Sequence, residues 1–349
     1  MPKSVLLYIV CGFLILSNIG QSFGQMDSIQ KIIDRGVDLH NQGKYELSLV
    51  EYRKALKLDN TNPLLNYEMA LSYYYMGDKA KSEDHAVIAA KDLSESGVHA
   101  VILLGTIYDE QGKGKKSIKL FEKAAKKYSD YYLIWFNLGV TANGMGDYDL
   151  AAHAFEKAVN NRLDHGSSHY ALGTMMQVQG RRAEAMLPLY FFLLLEPDSD
   201  RSRNALVTLN DLWSEGVSME AGENVTITLS VPEDVNIGLQ SSDMMISMLE
   251  VSKSLEQNVG KSEYELYEDK LKGLFNYLSE VDLKPRQDFY TNYYIPFFAK
   301  IAESEHMETF VHFVLQSTDD ESMKWLATNS QKLEDFFDWL DATEGKSLE

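Results

Sequence analysis

The chain has 349 residues, a formal net charge of -19, and 45% apolar and 24% charged residues. That composition belongs to a folded chain, not to a disordered, collagenous or polytopic membrane one, and such acidity argues against nucleic acid, whose phosphates call for a basic stripe. A single cysteine leaves no disulfide framework and no thiolate metal site.

The chain opens on Lys3 and an apolar run from Val5 to Ile19, followed by the small residues Ser22 and Gly24 before Gln25. Cys, Gly, Ser and Asn interrupt the run, which makes it marginal as a permanent span of about 20 apolar residues. Residues 1–24 are similar to a Gram-negative secretory signal cleaved at Gly24-Gln25. That implies a periplasmic or secreted protein, with a retained N-terminal anchor as the alternative. Tyr8, Ile9 and Val10 before Cys11 lack the small residue that lipidation would need. Cleavage would remove the only cysteine, which suits an oxidising compartment.

Next comes a repeat. Gly36, Ala70, Gly105, Gly139 and Gly173 are spaced 34, 35, 34 and 34 residues apart, and seven residues after each stands another glycine, at 43, 77, 112, 146 and 180. At offset nineteen are Ala55, Ala89, Ala124 and Ala158, with Phe192 departing; at sixteen are Tyr52, Phe121 and Phe155, with Ala86 and Leu189 departing. Each position suits a helix–turn–helix unit. The first small residue and the alanine allow close helix approach, the second glycine suits a left-handed helix C-cap, and the ring fills the gap between helices. Units of about this length stack as a solenoid.

Trp135, Leu138, Gly139, Gly146, Tyr148, Ala151, Phe155 and Ala158 make the fourth unit resemble the tetratricopeptide repeat family most fully. The fifth adds Leu172, Gly173, Gly180, Ala185 and Pro197, and the first has Ser48 where the family usually has alanine. The resemblance covers residues 27–197 and implies a mainly α fold: an α-solenoid of about five repeats. It also implies a binding scaffold in which the first helix of each unit lines a concave face. Phe192, where alanine is usual, leaves a sixth hairpin behind it in doubt.

After Pro197 the period stops. Residues 25–197 carry 20 basic and 22 acidic residues, and residues 198–349 carry 12 and 30, so nearly all the acidity is in the second half. Residues 198–214 read as a capping helix burying Leu206, Leu209 and Trp213, and 215–238 as a linker. In that linker Val225, Ile227, Leu229 and Val231 alternate as a strand, with residues 216–220 as a hairpin partner. Residues 239–349 read as an acidic, mostly helical domain with helices near 240–257, 262–281, 287–304, 306–317, 320–328 and 330–341. Ser262 and Glu265 form a capping box, and Pro296 is expected to kink its helix. The rings of this domain read as a helical core, with the charge-poor stretch from Phe289 to Phe298 as an alternative exposed docking surface.

Catalytic chemistry is hard to find. The segment from Gly112 to Ser117 has Asp109 and Lys116 where a phosphate loop needs Gly and Ser or Thr. His165 and His169 have the spacing of a metal pair but no third ligand, and His306 and His312 fall on different helix faces. No G-x-S-x-G elbow occurs. The reading is therefore no enzyme, no cofactor and no metal. In the family, offsets of −3, −2, +1 and +4 from the small residue face the groove. The resemblance thus implies partner-binding residues Tyr67, Glu68, Leu71 and Tyr74; Ile102, Thr106 and Asp109; Phe136, Asn137, Val140 and Asn143; and Tyr170, Thr174 and Gln177. None is Lys or Arg, which speaks against clamping a C-terminal carboxylate. The expected function is a non-enzymatic protein-interaction scaffold with a protein or peptide partner, no nucleic acid and no span after signal cleavage. A structural subunit of an envelope complex, its C-terminal domain occupying its own groove, is the second reading, and a hydrolase-like enzyme the third.

Overall fold

The structure is a computed structural model that describes residues 29–92, 95–219, 225–228, 237–281 and 289–344. The signal segment, and Leu229 and Val231 of the expected strand, lie outside the described residues. Among the described residues no helix is long and apolar enough to cross a membrane. The chain forms two compact units, residues 1–145 and 146–349. This division falls inside the fourth repeat, not at residue 197.

The first unit is a row of helices: α1 (29–41), α2 (Tyr45–Leu56), α3 (Pro63–Tyr75), α4 (Lys79–Ala89), α5 (Glu95–Glu110), α6 (Gly114–Ala125) and α7 (Tyr132–Gly144). The odd-numbered helices come first in each repeat, and α3, α5 and α7 pack on one another in sequence. The even-numbered helices lie between them, each packed on the odd ones that flank it. Such a two-layer stack is the solenoid that the period implies.

The turns follow from one backbone conformation. Gly43, Gly77, Gly112, Gly146 and Gly180 all have φ between 69° and 79°, where a side chain costs about 1–2 kcal/mol. In the first unit Gly77 N donates to Tyr74 O at 2.9 Å and Asp78 N reaches back to Tyr73 O at 2.9 Å, the paired closure that satisfies a helix's last carbonyls. Asp78 then caps α4 by accepting from Lys81 N at 3.1 Å.

The close approach of paired helices is also specific. A Cβ on Gly36 would stand 2.1 Å from the Tyr52 ring, and one on Gly105 2.2 Å from the Phe121 ring. The second repeat, which departs from the pattern with Ala86, resolves on the same contact. Its small position is Ala70, and both alanines are fully buried in one cluster. A methyl added at offset zero is matched by a ring removed at offset sixteen, which keeps the core filled without overlap. The departure of Ser48 has a relative in two further units. At the same offset Ser82 donates to Ala70 O at 2.8 Å and Ser117 to Gly105 O at 2.9 Å, each tying one helix of a pair to the other.

The second unit holds α8 (Tyr148–Asn161), α9 (Gly166–Val178), α10 (Arg182–Leu195), α11 (Asp200–Ser214) and a two-stranded hairpin, β1 (Val217–Met219) and β2 (Val225–Ile227). There follow α12 (Ile237–Ser252), α13 (Glu263–Glu280), α14 (Ile295–Glu303), α15 (Met307–Leu315), α16 (Asp320–Thr328) and α17 (Ser330–Glu344). Val217 pairs with Ile227 and Met219 with Val225, antiparallel, as expected of a hairpin. Helix α11 packs on α10 and on α12 and buries Leu206, Leu209 and Trp213. The capping box at Ser262 and Glu265 forms in both directions.

Helix α10 is the centre of this unit. Every residue from Arg182 to Leu193 is buried, because α9, α11, α12 and α15 all pack against it. Arg182 ties α10 to two of these elements, α11 and α12. Its guanidinium donates to Leu212 O at 3.0 and 2.6 Å, to Trp213 O at 3.3 Å, to Asp243 O at 3.2 Å and to Ser247 Oγ at 2.9 Å. A cation on the free carbonyls of α11 is also the favourable sign for the end of a helix. Behind it, Trp213 Nε1 donates to Tyr190 Oη at 2.9 Å, and Tyr190 bonds Tyr267 Oη at 2.8 Å.

The stretch from Phe289 to Phe298 is helical core, as first read, and the alternative of an exposed docking surface falls away: Phe289, Tyr290, Tyr294, Phe297 and Phe298 are all buried. Phe297 lies 5.0 Å from the Phe191 ring of α10. Charge-poor aromatic residues are what a core between helices requires. Pro296 opens α14 instead of interrupting it, because residues Tyr290–Tyr294 widen into a π turn just before it, which accommodates the missing N–H and the ring.

Candidate functional site

In the first unit the residues assigned to the groove all lie on α3, α5 and α7, the helices that pack on one another. None is buried: Tyr67, Glu68, Leu71, Tyr74, Ile102, Thr106, Asp109, Phe136 and Asn137 are half-buried, and Val140 and Asn143 are exposed. They lie on neighbouring helices of the inner row, since α3 packs on α5 and α5 on α7.

Its chemistry is aromatic with few carboxylates. Tyr67 lies 6.2 Å from the His99 ring, which meets Tyr131 edge-on at 6.0 Å. The Tyr131 hydroxyl and His99 Nε2 are 3.3 Å apart. Near the turns, Tyr74 meets Tyr75 edge-on at 5.9 Å, and Tyr75 stacks on Tyr45 at 5.5 Å with His40 edge-on to both. Burial pushes the Tyr67 hydroxyl up to about 12 and raises the Glu68 carboxyl. The Tyr74 hydroxyl donates to Glu110 and for that reason first, then burial, is pushed up to about 12. Glu110 also pairs with Lys79 at 2.7 Å, and Lys79 first, then Tyr74, holds its carboxyl low.

The polar groups of the stripe are oriented from within. Thr106 donates to Ile102 O at 3.0 Å and Asn137 to Leu133 O at 2.8 Å. The Thr106 oxygen therefore faces outward with acceptor capacity only. Deeper down, Ser48 donates to Tyr45 O at 2.8 Å, lies 3.0 Å from Ser72, and Ser72 lies 2.8 Å from His40 Nδ1. Two hydroxyl protons cannot supply three hydrogen bonds, so His40 carries its proton on Nδ1.

In the second unit the expected groove residues Tyr170, Thr174 and Gln177 are also half-buried, and Thr174 donates to Tyr170 O at 2.9 Å, the same arrangement as Thr106. Tyr170 is partly packing, with Phe192 at 5.0 Å and the Arg201 guanidinium 5.9 Å from its ring. The C-terminal helices of this unit dock mainly on α10, the outer helix of the fifth repeat, and not along the inner face of α9. The contact they make with α9 is at His169, where Nδ1 meets Tyr294 Oη at 2.6 Å, Nε2 meets Leu163 O at 2.7 Å, and the ring stacks on Phe191 at 4.4 Å. Carbonyl and hydroxyl take both nitrogens, so His169 has no lone pair left for a metal. Burial pushes its pKa down to about 3. His165 is engaged with Ser168 at 2.7 Å.

Sequence reasoning missed a cavity of about 510 Å³ in the C-terminal helices, lined by Tyr264, His312, Trp325, Glu268, Glu308 and Glu321 among others. It is satisfied internally. Glu268 pairs with Lys272 at 2.5 Å, Glu308 with Lys332 at 2.7 Å and Glu321 with Lys324 at 2.6 Å. Trp325 stacks on His312 at 4.3 Å and also has Lys332 over its ring at 5.2 Å. The contributing residues come from three helices, and no local motif marks them.

Residues 36–77 match a family model described as TPR repeat and residues 132–165 one described as tetratricopeptide repeat. A TPR repeat-containing protein of Methanocaldococcus jannaschii is 25% identical over 205 residues, covering 57% of this chain and 32% of that protein, so the chain spans about a third of its relative's length. Among solved structures, Pseudomonas aeruginosa PilF is 18% identical with a TM-score of 0.47, covering 54% of this chain and 90% of that one. YrrB, described as a TPR protein with an unusual peptide-binding site, is 19% identical with a TM-score of 0.42, covering 52% and 97%.

Proposed function

We propose that the chain, which carries tetratricopeptide repeats at residues 36–77 and 132–165, is a non-catalytic scaffold that holds an extended polypeptide on the inner face of its repeats. Proteins of this kind bind protein or peptide partners and are typically scaffolds instead of enzymes. The observation that supports the finer reading is that the assigned residues on α3, α5 and α7, helices packed on one another, are half-buried or exposed, where rigid rings offer contact area and amide and carboxylate groups can meet a backbone. The likeness of residues 1–24 to a secretory signal supports a periplasmic or secreted location, with cleavage near Gly24-Gln25, as part of the same proposal.

Modest contact area points to binding of roughly micromolar strength, about −8 kcal/mol. The test is affinity capture from an envelope fraction with the full chain and with a Tyr74→Ala, Phe136→Ala double variant. Both side chains are only half-buried, so the double variant should lose capture with its melting curve nearly unchanged. Undiminished capture by the variant would remove the groove assignment.

A further inference from the structure

We propose that the inner face of the first unit selects a polypeptide segment carrying a lysine or arginine side chain among apolar residues. This rests on the groove reading above and adds the chemistry of the partner.

The argument begins with where the chain keeps its own cations. Helices α3, α5 and α7 contain no lysine or arginine at all, whereas α2, α4 and α6 carry Arg53, Lys54, Lys79, Lys81, Lys115, Lys116, Lys119 and Lys123. The acidic residues are not segregated in this way: Glu68, Asp109 and Glu110 sit on the inner row. Positive charge is thus kept off α3, α5 and α7, the helices that present the groove residues; on α1 the cations are Lys31 and Arg35, and Arg35 pairs with Glu51 of α2 at 3.5 Å.

Three tyrosines of this unit have a lysine of the chain over the ring, whereas Tyr45 and Tyr52 of α2 have none among the described residues. Lys81 lies 5.3 Å over Tyr73, Lys116 3.8 Å over Tyr108 and Lys127 4.3 Å over Tyr128. Among the described residues no cation covers Tyr67, Tyr74 or Tyr75, and Tyr75 is 60% exposed. Glu110 has Lys79 as its ion-pair partner, but no cation of the described residues pairs with Glu68 or Asp109. An incoming ammonium or guanidinium would therefore find rings with no cation over them and carboxylates with no ion-pair partner on these helices, where both attractions act on the same charge. An acidic segment would meet repulsion with no compensating group. Glu68 gains most, since a cation beside it offsets the desolvation that now opposes its ionised form.

A short random-peptide library panned on the full-length chain tests this directly. Selected peptides should be enriched in Lys and Arg. In a selected sequence, changing the key lysine to norleucine should weaken binding about tenfold at low salt and abolish most of its salt dependence. Asp109→Asn and Glu68→Gln, each checked for an unchanged circular dichroism spectrum, should bring the lysine and norleucine peptides to within about twofold of each other. Should one of these variants fail to fold, the other carries the comparison. Peptides whose capture needs Tyr74 and Phe136 yet show no Lys or Arg preference would overturn this inference and leave the groove standing. Peptides that bind equally well to the Tyr74→Ala, Phe136→Ala variant would overturn the groove reading itself.

Discussion

The two units bury their helices by different means. In the first, one contact recurs: a small residue on the first helix of a pair meets whatever stands sixteen residues later, glycine against a ring at Gly36 and Gly105, alanine against alanine at Ala70. In the second, α10 is enclosed by partners from far along the chain, and its polar groups are satisfied one by one by Arg182, Tyr190 and Trp213. A repeated local contact tolerates variation as long as the pair varies together. A unique polar network has no such slack, because each missing partner leaves a buried group unsatisfied.

The largest expected effect tests that lack of slack. Arg182→Ala removes the donors from Leu212 O, Trp213 O and Ser247, and should cost the second unit about 3 kcal/mol or more. The check is hydrogen exchange in α10 and α11, with urea unfolding as a second measure. A loss under about 1 kcal/mol would show that α11 is held by its apolar face alone.

The first unit is tested by a double-mutant cycle. Phe121→Ala should cost about 3–5 kcal/mol and Gly105→Ala about 1–3 kcal/mol by overpacking against the same ring. Together they recreate the Ala70–Ala86 pair, so the double variant should be more stable than the sum of the two losses predicts, by about 1 kcal/mol or more. Strict additivity would contradict the compensation seen in the second repeat.

Acidification should separate the units further. His169 stays neutral when folded because burial lowers its pKa to about 3, whereas the unfolded chain takes up the proton near 6.5. The contribution of His169 is complete above about pH 6.5 and is lost as pH falls toward 3, with a slope approaching about 1.4 kcal/mol per pH unit. Urea midpoints measured across that range should show the slope in the native chain and a shallower one in His169→Gln. Equal slopes would mean the ring is not the titrating group. The smallest expected effect is at a turn: Gly112→Ala, at φ 71° with open space around the position, should cost about 1 kcal/mol through backbone strain alone.

Much of this was legible in advance. The offset-seven glycines announced their left-handed caps, the spacing of small residues announced the helix pairs, and Ser262 with Glu265 announced the start of α13. These features are local, and their physics needs only neighbours within one repeat or one helix turn. The departures were harder. Ala86 reads as a loose position until Ala70 is seen to share its cluster, and the rings from Phe289 to Phe298 read as core without any sign that Phe191 of α10 would be among their partners.

The periodic glycines and alanines and the capping residues were enough to determine a stack of helical hairpins whose assigned groove positions hold no lysine or arginine. Tertiary structure alone decided that Tyr294 would close on His169, that Arg182 would hold the end of α11, and that the C-terminal helices would enclose α10. The reason is range. Period and capping are set by residues a few positions apart, whereas His169 and Tyr294 are 125 residues apart, and partners at that distance are chosen by which apolar faces remain to be covered once the helices exist.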